Sequence, residues 1–273
     1  VNLRDKIVVI TGASSGIGAA AAFEFADRGA RVVMVSRNAD RLERAREELA
    51  GIGKTEAMTC DVSDSGQVSE MARQVLDRFG QVDVLVNNAG YAVYGTVSQL
   101  SVGEIEGQMR TNYFGMVYCT KGFLPGMIKR NRGHIVNVAS VAASVGLPGM
   151  APYCASKFAM LGFSEGLKHE LHETGVGVTV VSPITVRTNF FDHSSFGKMR
   201  RKPYAISSKR VARAIVKASA SSRLEIVVPS TVRGVVWLKQ TLPYLINPML
   251  GSSFRGIGSA ESSPSPAPEE PRP

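Results

Sequence analysis

Tyr153 and Lys157 stand four residues apart, a spacing that puts both on one face of a helix. A free phenol titrates near ~10, too high for efficient proton exchange at neutral pH. An ammonium within about 4–6 Å favours the phenolate and lowers that value. The pair is therefore expected to exchange a proton with a substrate oxygen. Ser140 lies thirteen residues before Tyr153, at the end of an apolar stretch, where its hydroxyl can hold such an oxygen and polarise a carbonyl. A Tyr-x-x-x-Lys pair is common, and its weight depends on its surroundings. No metal is expected beside it. His134, His169, His172 and His193 are not spaced as ligands with carboxylates, and His169 and His172 read as a solvated helix face next to Glu170 and Glu173. Cys60, Cys119 and Cys154 form neither a zinc spacing nor a disulfide framework, so a reducing compartment is the expectation.

Such groups must be carried by a frame, and the hydrophobic pattern describes one. Short apolar runs at 7–10, 31–35 and 82–86, and further stretches at 55–59, 134–138, 176–181 and 224–228, predict strands. Helical patterns at about 15–27, 40–49, 64–79, 102–130, 151–173 and 207–220 separate them. Asn38 or Asp40 and then Asp64 stand at cap positions, and Pro125 is expected to break the long helical region 102–130. Continuous apolar strands alternating with helices imply a doubly wound parallel α/β sheet of Rossmann type, about seven strands with helices on both faces. Right-handed crossovers then bring the strand C-termini, and any ligand, to one edge. Residues 1–230 read as one domain and 231–258 as a helical extension. Residues 259–273, rich in Ser, Pro and Glu, read as a disordered tail that cannot bury a core.

The first strand ends in Thr11-Gly12-Ala13-Ser14-Ser15-Gly16-Ile17-Gly18, so strand, glycine turn and helix follow in the order a dinucleotide site requires. Gly12 permits a tight turn, Gly16 leaves room for a pyrophosphate, and Gly18 lets helix and strand pack closely. The first-turn amides and the positive end of the helix dipole then face the phosphates. The second strand ends in Val35-Ser36-Arg37-Asn38, without the carboxylate that would bind a ribose 2′-hydroxyl. Arg37 can instead grip a 2′-phosphate through its planar fork, with Arg41 as a weaker second candidate, so NADP(H) is the expected cofactor.

Taken together, these motifs resemble the short-chain dehydrogenase/reductase family over about residues 5–230. Residues 11–18 are similar to its TGxxxGxG turn, Asp61-Val62 to the pair that contacts adenine, and Asn87-Asn88-Ala89-Gly90 to its NNAG segment. Asn112, Ser140, Tyr153 and Lys157 match its catalytic tetrad. Residues 183–188 stand where the family closes a PGxxxT segment over the nicotinamide. The resemblance implies cofactor contacts from Gly12, Ser14, Ser15, Gly16, Ile17, Gly18, Arg37, Asp61, Val62, Asn88, Ala89, Gly90, Tyr153, Lys157, Pro183, Val186 and Thr188. It also implies that Lys157 binds the nicotinamide ribose and that Asn112 kinks its helix and anchors a proton-conducting water. Ile184 departs from the family glycine, which implies a stiffer and more apolar loop. The implied reaction passes hydride between NADP(H) and a ketone or secondary alcohol, with Tyr153 as general acid/base.

The resemblance also implies a substrate lid over about 187–206. Phe190, Phe191, Phe196 and Tyr204 there suit a lipophilic substrate of steroid-, retinoid- or long-chain-like character, with Val93, Tyr94 and Met150 as further apolar walls. The run Lys198-Met199-Arg200-Arg201-Lys202 suits a phosphate-bearing carrier or an anionic surface. The excess basic charge behind the net +9 lies in 187–258, since the preceding residues balance. Val235, Val236, Trp237, Leu238, Leu242, Tyr244, Leu245, Ile246, Met249 and Leu250 make the extension either a core- or interface-covering helix or an element lying on a membrane. Two alternatives stay open: reduction of a 3-oxoacyl thioester on a carrier, and a non-catalytic NADP-binding regulator or scaffold. No transmembrane span or signal core is evident, so a cytoplasmic protein with peripheral membrane contact through 187–258 is expected. A homodimer or homotetramer, through the long helices near 102–130 and 151–173, is implied by the resemblance. No groove-reading motif supports a nucleic-acid partner.

Overall fold

A computed structural model describes residues 2–192, 194–198, 205–242 and 244. In chain order its first half runs β1 (Ile7–Thr11), α1 (Gly16–Ala26), β2 (Arg31–Ser36), α2 (Ala39–Glu47), β3 (Lys54–Thr59), α3 (Ser65–Phe79), β4 (Val84–Asn87) and α4 (Val102–Met109). The second half runs α5 (Gly115–Lys129), β5 (Gly133–Val138), α6 (Ala151–Glu170), β6 (Val176–Pro183), β7 (Val186–Arg187), β8 (Ile206–Ser207), α7 (Ser208–Ala218), β9 (Glu225–Val228) and α8 (Arg233–Thr241).

Seven strands pair in parallel in the order β3-β2-β1-β4-β5-β6-β9. Alternation of side chains along each strand feeds two cores. Val8 and Ile10 of β1 join Phe25 of α1, Leu42 of α2 and Ile215 of α7 on one face. Ile7 and Val9 join Met71 of α3, Phe123 of α5 and Leu167 of α6 on the other. Both faces are dry over the central strands, which is why β1, β2 and β4 read as near-continuous apolar runs, whereas the edge strand β3 is only part-buried. The chain reverses direction across the sheet between β1 and β4, and open α/β sheets bind ligands in the crevice at such a point.

The helix entries follow the expected chemistry. Asn38 accepts from the Arg41 amide at 2.8 Å, and Asp64 accepts from Gly66 and Gln67 at 2.8 and 3.1 Å. Ser101 and Glu104 close a reciprocal capping box on α4.

The expected break at Pro125 does not occur: α5 runs through it. Pro125 and Lys121 are both exposed, so the carbonyl that the proline leaves without a donor is on the wet side. The interruption falls instead at a π-helical turn, Arg110–Phe114, which contains Asn112. The strands β7 and β8 form a separate small parallel pair that joins the two ends of 187–206. His193, Tyr204, residues 199–202 of the basic run, residues 245–258 of the extension and the tail 259–273 lie outside the described residues.

Candidate active site

The strand ends Thr11, Asn87, Val138 and Pro183 share one edge of the sheet, and the expected site residues gather there. Thr11 ties the two cofactor motifs together. Its Oγ1 accepts from the amides of Asn88 and Ala89, both at 3.0 Å, while the Asn88 amide group donates to the carbonyls of Thr11 at 2.9 Å and Gly12 at 3.3 Å. Gly12 and Gly16 have positive φ of 66° and 58°, which only glycine adopts without strain. A Cβ on Gly12 would meet the Ala89 backbone at 2.8 Å, one on Gly16 would meet Thr188 at 3.1 Å, and one on Gly18 would overlap the Gly12 carbonyl. Ser15 precedes α1 without a side-chain cap, so the first-turn N–H groups of that helix are left for a ligand. A side-chain-free cradle with uncapped amides fits a dinucleotide pyrophosphate. Ser36 donates to Ser14 at 2.9 Å beside the turn, exposed Arg37 follows β2, and Asp61 holds Ser63 through the hydroxyl at 2.7 Å next to buried Val62.

Tyr153, Lys157 and Ser140 meet at the same edge. The Lys157 ammonium lies 5.6 Å from the centre of the Tyr153 ring and donates to the Val138 carbonyl at 3.0 Å and to the Met160 sulfur at 3.4 Å. Ser140 accepts from the Ala142 amide at 3.2 Å and hydrogen-bonds the Tyr153 phenol. Asn112 reaches the group from below. It accepts from the Tyr91 amide and donates to the Tyr91 carbonyl and the Ser156 hydroxyl, each at 2.9 Å, and Ser156 in turn donates to the Tyr153 carbonyl at 2.7 Å. A Cβ on Gly90 would stand 2.9 Å from the Asn112 oxygen and 3.5 Å from the Lys157 ammonium.

One expectation is reversed. Burial pushes the Tyr153 phenol above its ordinary value, against the smaller pull of the Ser140 hydrogen bond, so it is not acidified. The same burial pushes Lys157 down to about 7. For Tyr153 desolvation outweighs the Ser140 hydrogen bond, and for Lys157 desolvation is the cause of the shift.

Tyr153 packs in an apolar cluster with Ala92, Ala142, Met150, Cys154 and Phe196, flanked by Tyr94, Phe190 and Phe191. The Phe190 ring meets Tyr153 edge-on at 5.6 Å. Pro183 and Val186 are buried, and the Ile184 amide donates to Val228 at 3.0 Å, which fixes this loop to β9. Among the described residues no group of His, Cys, Asp or Glu is placed to hold a metal.

Sequence reasoning missed Ser156 and Met160 as supporting groups and named Thr11 only as the opening residue of the glycine turn, without its bonds to Asn88 and Ala89. Ser156 carried one signal, a serine inside a helix, whose side chain commonly returns to a backbone carbonyl. Met160 carried none.

The family profile described as short chain dehydrogenase matches residues 6–197. The chain belongs to that family. Dehydrogenase/reductase SDR family member 7B of Mus musculus is 34% identical over 274 residues, covering 96% of this chain and 85% of the relative. A short chain dehydrogenase/reductase from Burkholderia phymatum, solved in complex with NAD, superimposes with a TM-score of 0.81 at 28% identity, over 90% of this chain and 96% of that one. A variant of actinorhodin polyketide ketoreductase with NADPH gives a TM-score of 0.76 at 30% identity, over 82% and 95%. This short-chain dehydrogenase is thus an oxidoreductase with a nucleotide-binding Rossmann fold. No described helix is long and apolar enough to cross a membrane.

Proposed function

We propose that this short-chain dehydrogenase transfers hydride between NADP(H) and a lipophilic ketone or secondary alcohol of steroid-, retinoid- or long-chain-like character. The observation that carries the reading is the Tyr153 phenol, hydrogen-bonded to Ser140 beside Lys157 and packed in an apolar cluster. The nicotinamide, when bound, supplies or accepts the hydride. The protein's residues do the rest. Gly12, Ser14, Ser15, Gly16, Ile17 and Gly18 hold the pyrophosphate with uncapped amides. Arg37 grips the 2′-phosphate, and Asp61 and Val62 flank the adenine. Asn88, Ala89, Gly90, Pro183, Val186 and Thr188 frame the nicotinamide half, and Lys157 binds its ribose.

In reduction, Ser140 fixes the carbonyl oxygen and Tyr153 gives it a proton as hydride reaches the carbon, so an alcohol forms. Oxidation reverses both transfers. Asn112 holds the backbone on which this group is mounted and opens a proton route toward Lys157. The segment 187–206, with Phe190, Phe191 and Phe196, closes the substrate side as a lid on the single catalytic domain 1–230.

A 3-oxoacyl thioester on a carrier is the second reading, favoured by the likeness to a polyketide ketoreductase. The protein is read as a cytoplasmic homodimer or homotetramer, with peripheral membrane contact through 187–258.

NADPH consumption against steroid, aliphatic, quinone and acyl-thioester carbonyls, with NADH in parallel, tests the proposal. Turnover of at least one apolar ketone is expected, with Tyr153→Phe inactive yet still binding NADPH. Turnover that persists in Tyr153→Phe, or none on any carbonyl, overturns it.

A further inference from the structure

We infer that the face formed by α7, the edge of β9 and α8 docks on an anionic lipid bilayer. This deepens the peripheral-contact part of the proposed function by naming the surface, and it rests on that reading. Two observations coincide there. The first is an open groove lined by Lys209, Arg210, Arg213 and Lys217 of α7, over an apolar floor that includes Ile226 and Val228. Arg213 is shared with Glu24 at 3.3 Å, but among the described residues Lys209, Arg210 and Lys217 make no ion pair. The second begins at the end of that groove, where the chain passes through Ser230–Val232 into α8.

A surface helix ordinarily turns its charges to water. In α8 the inward position is Val236, at 7% exposure, and the outward ones are Val235, Trp237 and Leu238. Trp237 is 63% exposed, and Leu242 and Tyr244 beyond the helix are exposed as well. Tryptophan and tyrosine beside aliphatics, flanked by cations without an ion pair among the described residues, match the chemistry of the lipid headgroup boundary.

Charge decides against the other occupant, a second copy of this chain. A self-complementary contact across this face brings two rows of α7 cations together, whereas an anionic surface neutralises them. The arrangement also reaches the chemistry. Lys239 of α8 donates to the buried Ser144 carbonyl at 3.0 Å, on the turn that follows Ser140. The docked helix therefore stands next to the substrate cluster, and a lipid-soluble substrate would enter from the bilayer side.

Trp237 is the sole tryptophan, so its emission reports this face directly. The 273-residue chain mixed with phosphatidylcholine vesicles, with and without phosphatidylglycerol, is followed by Trp237 emission and by co-sedimentation. A shift to shorter wavelength is expected only with the anionic vesicles, and added salt should reverse it. Each of Lys209→Ala, Arg210→Ala and Lys217→Ala should weaken binding about fivefold. Trp237→Ala should weaken it in sedimentation without changing soluble-substrate turnover. If wild-type protein binds no anionic vesicle, both this inference and the peripheral contact fall. If it binds but the α7 and α8 variants bind equally well, this face is wrong and the contact lies elsewhere in 187–258. A shift that grows with protein concentration without vesicles would make the face a self-association surface and overturn the inference.

Discussion

Burial moves Tyr153 and Lys157 in opposite directions from their ordinary values, and both movements disfavour charge. The phenol stays protonated through neutral pH, which suits it to give a proton to a carbonyl. Oxidation of an alcohol needs the phenolate and should accelerate as pH rises. Lys157 has a consequence for stability. Its folded value is about 7 against an ordinary 10.5, so between those values the unfolded chain holds a proton that the folded chain lacks. Stability then rises with pH across that window, and the penalty for burying the ammonium is fully present below it. Urea unfolding of the cofactor-free enzyme from pH 6.5 to 9.5 should show the stability gap between Lys157→Met and wild type narrowing as pH rises. A gap independent of pH would contradict this. The proposed grip of Arg37 on a 2′-phosphate predicts that Arg37→Glu shifts the ratio of kcat/KM values from NADPH toward NADH. Tyr153, Lys157, Ser140 and Asn112, which the structure brings together at the candidate site, were named from spacing and from the family resemblance, because those motifs are local. The direction of the phenol's shift was not, because spacing brings a cation near but says nothing of how much water both groups lose.

Among the elements, the strands and most helix ends were legible because apolar runs, glycine turns and Asn or Asp caps act within a few residues. The long helical region was harder. Pro125 is the stronger breaker by propensity, yet α5 tolerates it on the wet face. Asn112 makes the interruption because its amide serves both backbone groups of Tyr91 and the Ser156 hydroxyl, partners far away in sequence. Gly18 has no room for a methyl against the Gly12 carbonyl, and overpacking of this kind costs typically about 1–3 kcal/mol. Gly18→Ala should lower the thermal midpoint and weaken NADPH binding together, measured by melting with and without cofactor. A variant that melts normally and binds normally would show that the helix can slide away from the turn.

For the whole molecule, the seven-strand sheet sets where chemistry can happen, and the outer helices decide what meets the surface. Val102 of α4, Phe114 of the π turn, Ile128 of α5 and Phe158 of α6 are exposed apolar side chains on the helices expected to pair subunits. If the protein assembles through these helices as proposed, Phe158→Glu on α6 is expected to shift sedimentation from the oligomer to the monomer while the circular dichroism spectrum is kept. No change in sedimentation would move the subunit contact elsewhere. The identity of the small β7–β8 pair was hidden in the sequence, since two-residue strands carry no periodicity, yet it fastens both ends of 187–206. Gly16 and Thr188, 172 positions apart, leave no gap for a methyl between them. If 187–206 covers the substrate as proposed, enlarging Gly16 would push on Thr188 at one end of that cover, and a lesion designed against phosphate affinity would also alter which substrates are admitted.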